Sequence, residues 1–391
     1  MNHQVSVRIF TLTLLGVLAS INLPAGQSPS GPVTPQPGAA VQQPPAQAKI
    51  GVSVSLVNTP VTVYDSKGQM VDTLDAKDFR VTDNGVPQRI LHFDMGGDPL
   101  SLVVLAETSS RVEVMLPEVR KAAIVITQAV MGSTGEAAII GFNDSVDKLQ
   151  EFTPSADKIE NTLTHLKAGT SGAKLYDAMA VGIEMLSGQP QPTADKPGRR
   201  RVMLILSEAT DVGSDTQFGA VLRQAQLNNV TIYSVGLSTT RAELQAKPRD
   251  NTPHPTPPGT FGAPPFPGTV QTPETEAARY GSGDLTQAII WAVKHIKDKI
   301  KGNPLELATA GTGGAHLPTF KDRSIEKALD EIGGELHAQY SVSYAPTGTN
   351  DAGYHEIKVA ISRSGSPKNS KTVKDWKIRY RPGYYVGPPE T

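Results

Sequence analysis

The sequence predicts an α/β protein: a doubly wound, mostly parallel sheet with a second, smaller all-β domain of the sandwich type. Between Ser101 and Leu237, apolar runs alternate with amphipathic helical stretches, and repeated strand–helix units of this kind build parallel sheets covered on both faces. On either side, at 50–97 and 338–387, apolar and polar residues alternate with period two, which is typical of half-buried strands. With 391 residues and 38% hydrophobic content, the chain is long enough for two cores.

The elements of the central region follow from its apolar patterns. Continuous apolar runs predict buried strands at 101–106, 136–142, 202–206 and 230–235, and a short strand at 316–317. Apolar stripes at helical spacing predict helices at 116–130, 155–166, 175–186, 218–228, 285–300 and 324–336. We therefore expect the α/β domain to occupy residues 98–337.

The flanks are expected to form the smaller domain together. The first flank predicts strands at 51–58, 61–64, 79–81 and 90–93 in a small antiparallel sheet, with the turn Asp83-Asn84-Gly85 between the last two. The second predicts strands at 340–344, 354–361 and 376–380 and holds six of the ten tyrosines. Because each set would be marginal alone, we expect one β-sandwich, split by the inserted α/β domain.

The amino terminus resembles a secretory signal peptide over residues 1–26. A basic Arg8 precedes an apolar stretch at 9–23 and the small residues Ala25 and Gly26, and a Pro/Gln-rich linker follows at 27–49. The apolar stretch is short for a membrane span, although a retained anchor is the alternative, and whether the peptide is cleaved is left open. We expect an extracytoplasmic protein in the periplasm, the cell envelope or the medium, without disulfides because the chain has no cysteine.

Charge and composition bear on one class of partner and on two segments that are expected to be exposed. The formal net charge is −1 and only 19% of residues are charged, which argues against a nucleic-acid partner. The only basic run, 199–201, directly precedes an apolar run and is expected to be a solvated entrance to a strand. The stretch 248–273 holds nine of the 31 prolines and is expected to be an exposed loop.

No motif supports catalysis. The chain lacks a nucleophile elbow, a paired-histidine zinc motif and a phosphate-binding loop, since the segment 169–172 (GTSG) lacks the lysine directly after its last glycine and the strand-loop-helix context of such a loop. The eight histidines are scattered. We therefore predict no enzyme, no catalytic residue and no small-molecule substrate.

The order of elements, with the segments LSLVVLAETSSRV, GEAAIIGFNDSV, GAKLYDAMAVGIEML, RRVMLILSEATD and NVTIYSVGL, resembles a von Willebrand factor type A domain over about residues 95–337. The flanks resemble the exported von Willebrand A-related proteins of acidobacteria. This resemblance implies a protein-binding or adhesion module with a metal-ion-dependent adhesion site, in which a D-x-S-x-S motif, a threonine and a later aspartate hold Mg²⁺.

The chain departs from that pattern at most of the positions that the resemblance assigns to ligands. Glu107 stands for the first aspartate, Ser109 is retained, Arg111 replaces the second serine, Ala173 replaces the threonine and Glu208 stands for the later aspartate. We expect these five residues to form a ligand-binding rim with a degenerate metal site and no bound cofactor. If Mg²⁺ were retained, its ligands would be Glu107, Ser109 and Glu208.

Arg111 suggests how the site could do without an ion. Its guanidinium would be repelled by a dication in the same site, but it could form charge-assisted hydrogen bonds with Glu107 or Glu208. The alternative is that Arg111 points to solvent. Asp177, at the start of a helix, is expected to serve the amide groups or dipole of that helix end.

Three functions are compatible with these features. We favour an exported, non-enzymatic module that binds an unknown protein partner through the rim without metal. The alternatives are divalent-cation-dependent adhesion through a modified site and a cell-envelope scaffold that makes contacts through its proline-rich loop or tyrosine-rich β-domain. The sequence does not indicate the ligand or the oligomeric state.

Overall fold

The computed structural model describes residues 56–190, 198–238, 303–319, 324–347, 353–362 and 376–386. These all belong to one compact unit, Val52–Thr391. The predicted signal peptide, the linker, the proline-rich loop at 248–273 and the helix predicted at 285–300 lie outside the described residues. In the part of the chain that is described, no helix combines the length and the apolar character needed to cross a membrane.

The described residues contain fourteen strands. They are β1 (Val57–Tyr64), β2 (Phe79–Asp83), β3 (Val86–Gln88), β4 (Ile90–Met95), β5 (Leu100–Glu107), β6 (Glu136–Phe142), β7 (Val146–Thr153), β8 (Arg200–Ser207), β9 (Val230–Gly236), β10 (His316–Pro318), β11 (Tyr340–Tyr344), β12 (Gly353–Ile361), β13 (Lys377–Tyr380) and β14 (Gly383–Val386).

The same residues contain seven α-helices, two short 3₁₀-helices at Ala76–Asp78 and Ser110–Met115, and one π-helix at Ile126–Met131. The α-helices are α1 (Leu116–Lys121), α2 (Ala123–Val125), α3 (Ala156–Thr164), α4 (Leu175–Ser187), α5 (Phe218–Leu227), α6 (Pro304–Thr312) and α7 (Ile325–Ala338).

The central sheet confirms the predicted fold class. Its six strands lie in the order β10-β9-β8-β5-β6-β7, and every neighbouring pair is parallel except the β6–β7 hairpin at one edge. From β5 the chain builds outward to β6 and β7, and then returns to β8 on the other side. The strand order therefore reverses between β5 and β8, which is where doubly wound sheets form ligand crevices at the carboxyl ends of their strands.

Helices cover both faces of this sheet because its strands are apolar on both sides. All eight residues of β5 are buried, and its alternate side chains enter two different cores. Leu102 and Val104 pack toward α1, α3 and α7, whereas Val103 and Leu105 pack toward α4, α5 and α6.

Two four-stranded antiparallel sheets form the smaller β region, in the orders β13-β1-β11-β4 and β14-β12-β2-β3. Each combines strands from before and after the central sheet, as expected for a split sandwich, and the two share one core that includes Phe79, Phe93 and Tyr340. The expectation that the first flank forms a sheet of its own is wrong. The turn after Asp83 joins β2 to β3, whereas β4 pairs with β11 in the other sheet. Of the segments predicted at 51–58 and 61–64, the described part forms the single strand β1, Val57–Tyr64.

Two elements of the central region differ from the sequence pattern. The helix predicted at 116–130 is divided into α1, α2 and the π-helix, because apolar spacing over such short stretches does not distinguish these helical types. Strand β7 was not predicted, because its apolar residues Val146, Leu149 and Phe152 are three residues apart and do not alternate with period two. The register shifts twice along β6–β7, and each shift changes which side chains share a face.

Buried arginines join the elements at the amino-terminal end of the sheet. The expectation of a solvated basic run at 199–201 is wrong for two of its members, since Arg200 and Arg201 are 7% and 5% exposed. Arg200 donates to the Leu336 carbonyl at 2.7 Å, and Arg201 donates to the Asn228 carbonyl at 3.0 Å. Burial lowers the pKa of Arg201 to about 10, so its guanidinium is still charged at neutral pH.

Arg381, between β13 and β14, fastens the β region to the end of α5. It is 3% exposed and donates to four oxygens of the protein. Two acceptors lie in the β region, the carbonyls of Asn58 and Gly383, each at 3.1 Å. The others follow or end α5: the Asn229 side-chain oxygen at 2.7 Å and the Gln226 carbonyl at 3.0 Å.

Candidate functional site

The candidate site lies where the strand order reverses. Glu107 is the last residue of β5, and Glu208 directly follows β8, its parallel neighbour. Four segments surround these two glutamates and are called the rim below: 107–113 after β5, 143–147 after β6, 167–177 before and into α4, and 208–216 after β8.

The Glu107 carboxylate is buried and hydrogen-bonded on both oxygens. Its Oε1 accepts from the Ser109 hydroxyl at 2.6 Å, and its Oε2 accepts from the Ser207 hydroxyl at 2.7 Å and from the Glu208 amide at 2.9 Å. Glu107 is 1% exposed and Ser109 is fully buried. Two strands and the loop after β5 thus share one carboxylate, which ties the base of the rim together.

Arg111 lies against both glutamates. It sits in the 3₁₀-helix Ser110–Met115, and its Nη2 forms an ion pair with Glu208 Oε1 and lies 4.0 Å from Glu107 Oε1. The Arg111 side chain is 31% exposed, whereas those of Glu107 and Glu208 are 0% and 15% exposed. The guanidinium therefore covers two carboxylates that would otherwise repel each other across the strand ends.

The side chain of Ala173 packs in the core and has no oxygen that could bind a metal ion. The residue is fully buried, and its backbone pairs with Val212 in an isolated antiparallel bridge, with N–O distances of 3.2 and 2.8 Å. The bridge joins the loop before α4 to the loop after β8. The structure thus brings Glu107, Ser109, Arg111 and Glu208 together, while Ala173 holds two rim loops side by side.

The glycine-flanked segment 169–172 packs tightly against the loop after β6. A Cβ added at Gly169 would lie 2.3 Å from the Asn143 side chain, and one at Gly172 would lie 1.5 Å from that of Asp144. The Thr170 hydroxyl donates to Asn143 Oδ1 at 3.2 Å, and the Ser110 amide donates to the Thr170 carbonyl at 2.9 Å. These glycines therefore serve close packing of the rim loops.

Asp177 lies in the first turn of α4, as expected for a residue that favours the helix dipole, and its carboxylate also stabilises a rim loop. Its carboxylate accepts from the backbone amides of Asp215 at 3.1 Å and Thr216 at 2.9 Å. Burial raises the pKa of the Asp177 carboxyl, but hydrogen bonds from Thr216 and Asp215 and the charge of Lys174 outweigh it, so the pKa lies below its ordinary value. The carboxylate form thus holds 215–216 against α4 at neutral pH.

The carboxylates of the described rim do not converge on a point where they could hold one metal ion. Across the described ranges, no three side chains of histidine, aspartate or glutamate are placed to hold a metal ion. At the five positions implied by the resemblance, the Glu107 carboxylate is engaged by hydroxyls and an amide, and Arg111 and Ala173 supply no oxygen from their side chains. This donor set does not fit an octahedral dication that needs six oxygen ligands near 2.1 Å.

A histidine–aspartate pair lies in the β region, far from the surface. His355 Nδ1 is 2.9 Å from Asp83 Oδ1, while the hydroxyls of Tyr344 and Tyr384 donate to Asp83 Oδ2 at 2.9 and 2.7 Å. His355 and Asp83 are each 4% exposed. This buried cluster joins strands of the two sheets of the β region.

The sequence analysis missed a groove of about 370 Å³ beside the rim. The groove runs between the β6–β7 hairpin and the carboxyl end of α3; its lining includes Thr108, Gly141, Asn143, Asp147, Leu149 and Leu166. Leu149, which is 43% exposed, places an apolar side chain at this groove. The only sequence signal for this groove was the exposed polar run after Phe142, because the position of α3 over β6 and β7 depends on the whole fold.

Some solved structures are similar to this chain at low sequence identity. No protein-family model matches the chain, and no curated protein sequence matches it. Solved structures similar to it include an aerotolerance-related membrane protein from Bacteroides fragilis, at 10% identity and a TM-score of 0.36, over 61% of this chain and 98% of that one. BatB from Bacteroides thetaiotaomicron is similar at 10% identity and a TM-score of 0.37, over 61% of this chain and 97% of that one.

A von Willebrand factor type A protein from Catenulispora acidiphila is also similar, at 8% identity and a TM-score of 0.38, over 81% of this chain and 72% of that one. The fold class itself follows from this chain's strand order, its parallel pairings and the helices on both faces of its sheet. The chain has a doubly wound α/β sheet, and von Willebrand factor type A domains, the family that its sequence resembles, are among the solved structures to which it is similar.

Proposed function

We propose that this chain is an exported, non-enzymatic module that binds a protein partner through the rim without a metal ion. The observation that carries the proposal is the position of Arg111, whose guanidinium pairs with Glu208 and lies 4.0 Å from Glu107. The Arg111 guanidinium occupies the position next to both carboxylates that a divalent metal ion would need. The positive charges of the guanidinium and the metal ion would repel each other there.

Several further features support the proposal. Loops held on a rigid sheet are the usual location of recognition surfaces, and hydrogen bonds between neighbouring loops fix the rim segments in place. The signal-like amino terminus supports export to the periplasm, the envelope or the medium. The absence of catalytic motifs from the sequence, together with the buried position of His355 and Asp83, supports a binding role.

Removal of Arg111 tests whether it takes the place of a metal. We expect the melting temperature of the wild-type chain to be the same in about 10 mM Mg²⁺ as in EDTA, because only an ion bound by the folded state raises it by mass action. Arg111→Ser is expected to melt a few degrees lower in EDTA, since Glu107 and Glu208 lose their cation, and to recover in Mg²⁺.

Arg111→Met is the matched control, because it removes the same charge without adding an oxygen. We expect it to lose stability as Arg111→Ser does, but without recovery in Mg²⁺. Differential scanning fluorimetry with Mg²⁺, Mn²⁺ and Ca²⁺ measures all three proteins. A wild-type gain as large as that of Arg111→Ser would contradict the proposal and favour cation-dependent adhesion through a modified site.

Site-specific photo-crosslinking tests the rim as the recognition surface. In one variant a photoreactive amino acid replaces Thr210, which is exposed in the loop after β8. In the control variant it replaces Asp330, which is exposed on α7 near the first residues of β10. Incubated in EDTA with cell-envelope proteins of its source organism, the full chain is expected to form a discrete adduct from Thr210 and none from Asp330. Adducts from Asp330 alone would support a scaffold that binds elsewhere, and an adduct that requires Mg²⁺ would refute metal independence.

A further inference from the structure

We infer that the partner presents lysine or arginine beside an apolar side chain, and that this segment seats in the groove next to the rim. The inference rests on the proposed function and names the chemistry of the partner. A metal-centred site would capture a carboxylate from its partner; the charges at this rim favour the opposite sign.

The rim concentrates negative charge that the whole chain does not have. Its four segments contain three cationic side chains, Arg111, Lys167 and Lys174, whereas the net charge of the chain is only −1. They contain eight carboxylates, those of Glu107, Glu113, Asp144, Asp147, Asp177, Glu208, Asp211 and Asp215. The resulting field attracts a cationic segment and repels an acidic one.

Two of these carboxylates lie exposed in the segment after β6 without a cation of the chain, and one of them, Asp147, lines the groove. Asp144 and Asp147 are both exposed, and no lysine or arginine of the described ranges lies within ion-pair distance of either. Asp147 accepts a hydrogen bond from the Ser145 hydroxyl at 2.7 Å, which holds it in place. By contrast, Arg111 is paired with Glu208, and Lys174 lies 3.6 Å from Asp177.

The groove provides an apolar seat next to Asp147. Its lining includes Leu166, which is 3% exposed, and Leu149, which is 43% exposed and whose side chain lies close to Gly141. Lys167 also lines the groove, in the loop after α3, so a partner's cation is expected at the Asp147 side. A volume of about 370 Å³ accommodates one or two side chains of an extended segment rather than a folded surface.

Fluorescence anisotropy with short labelled peptides tests the inference on the full chain. One peptide alternates lysine with leucine, a second has glutamate in place of lysine, and a third has serine in place of leucine. We expect only the lysine–leucine peptide to bind well, and its binding to weaken as salt is raised, because exposed charges are screened. Better binding of the glutamate–leucine peptide, or no binding of the lysine–leucine peptide, would overturn the inference.

Variants of the groove locate the binding. Asp147→Lys and Leu149→Ser are each expected to weaken the lysine–leucine peptide about five- to tenfold, the range of one charge pair or one apolar contact. Glu151→Lys is the matched control: it makes the same charge change on β7, outside the groove, and is expected to leave the affinity unchanged. Equal affinity of Asp147→Lys and the wild type would place the peptide elsewhere and overturn the inference.

The two proposals can fail separately. An adduct from Thr210 together with no binding of the lysine–leucine peptide would retain rim recognition and reject the cationic partner. Peptide binding that depends on Asp147, with no adduct from Thr210, would retain the cationic partner and place recognition at the 143–147 segment and the groove rather than at the loop after β8.

Discussion

Replacement of Arg381 by alanine is expected to destabilise the protein by about 3–5 kcal/mol, the range observed when a buried charged group that is hydrogen-bonded is removed. The guanidinium is 3% exposed and donates to oxygens of Asn58, Gly383, Gln226 and Asn229. Alanine would leave these acceptors without their donor in a cavity that water reaches poorly, and buried polar groups without partners are costly. Burial lowers the pKa of Arg381 to about 10, so the side chain that is lost is charged at neutral pH.

Urea unfolding followed by circular dichroism measures this loss. Arg80→Ala is the matched control, since Arg80 is exposed on β2 and donates only to the carbonyls of Lys77 and Phe79. We expect the control to stay within about 0.5 kcal/mol of the wild type, as surface substitutions usually do. A loss below about 1 kcal/mol in Arg381→Ala would show that the β region holds to α5 without this arginine.

Replacement of Glu107 by alanine is expected to cost about 2–4 kcal/mol, because it removes the shared acceptor of two buried hydroxyls and one amide. Ser109, Ser207 and the Glu208 amide all donate to this carboxylate at 2.6–2.9 Å. Since these donors come from the ends of β5 and β8, their loss is expected to loosen the rim before the rest of the sheet.

Hydrogen exchange followed by mass spectrometry separates these two effects. Faster exchange is expected in Glu107→Ala at 107–113 and 207–211, with β9 protected as in the wild type. Glu151→Ala, at an exposed glutamate of β7, is the control and is expected to change neither stability nor exchange at the rim. Unchanged exchange at 107–113 would mean that the rim does not depend on Glu107.

Much of the architecture could be predicted because it follows from burial along single elements. The continuous apolar runs of β5 and β8 predict strands that are covered on both faces, and both are fully buried. Parallel strands present their carboxyl ends at one edge of a sheet, so the sequence alone predicts that Glu107 and Glu208 lie near each other. The sequence left open whether Arg111 pairs with Glu107, pairs with Glu208 or points to solvent, and the structure shows the ion pair with Glu208.

Features that depend on long-range pairing were not predictable. Local alternation indicates strands at 79–81 and 90–93 but not that β2 and β4 enter different sheets, because partner choice depends on strands more than two hundred residues away. Arg200 and Arg201 look like surface residues in the sequence. They are buried because carbonyls at the ends of distant helices converge on them.

The sequence of this chain specifies an alternation of buried strands and helices, a set of rim residues with few metal-ligand oxygens, and the strands of a split sandwich. These depend on side-chain polarity at fixed spacing, which is local information. Tertiary packing specifies the hydrogen bonds to Glu107, the groove between α3 and the β6–β7 hairpin, and the hydrogen bonds of Arg381 at the end of α5. Those features require groups far apart in the chain to come into contact, and the polarity pattern of one segment does not predict which distant segment it contacts.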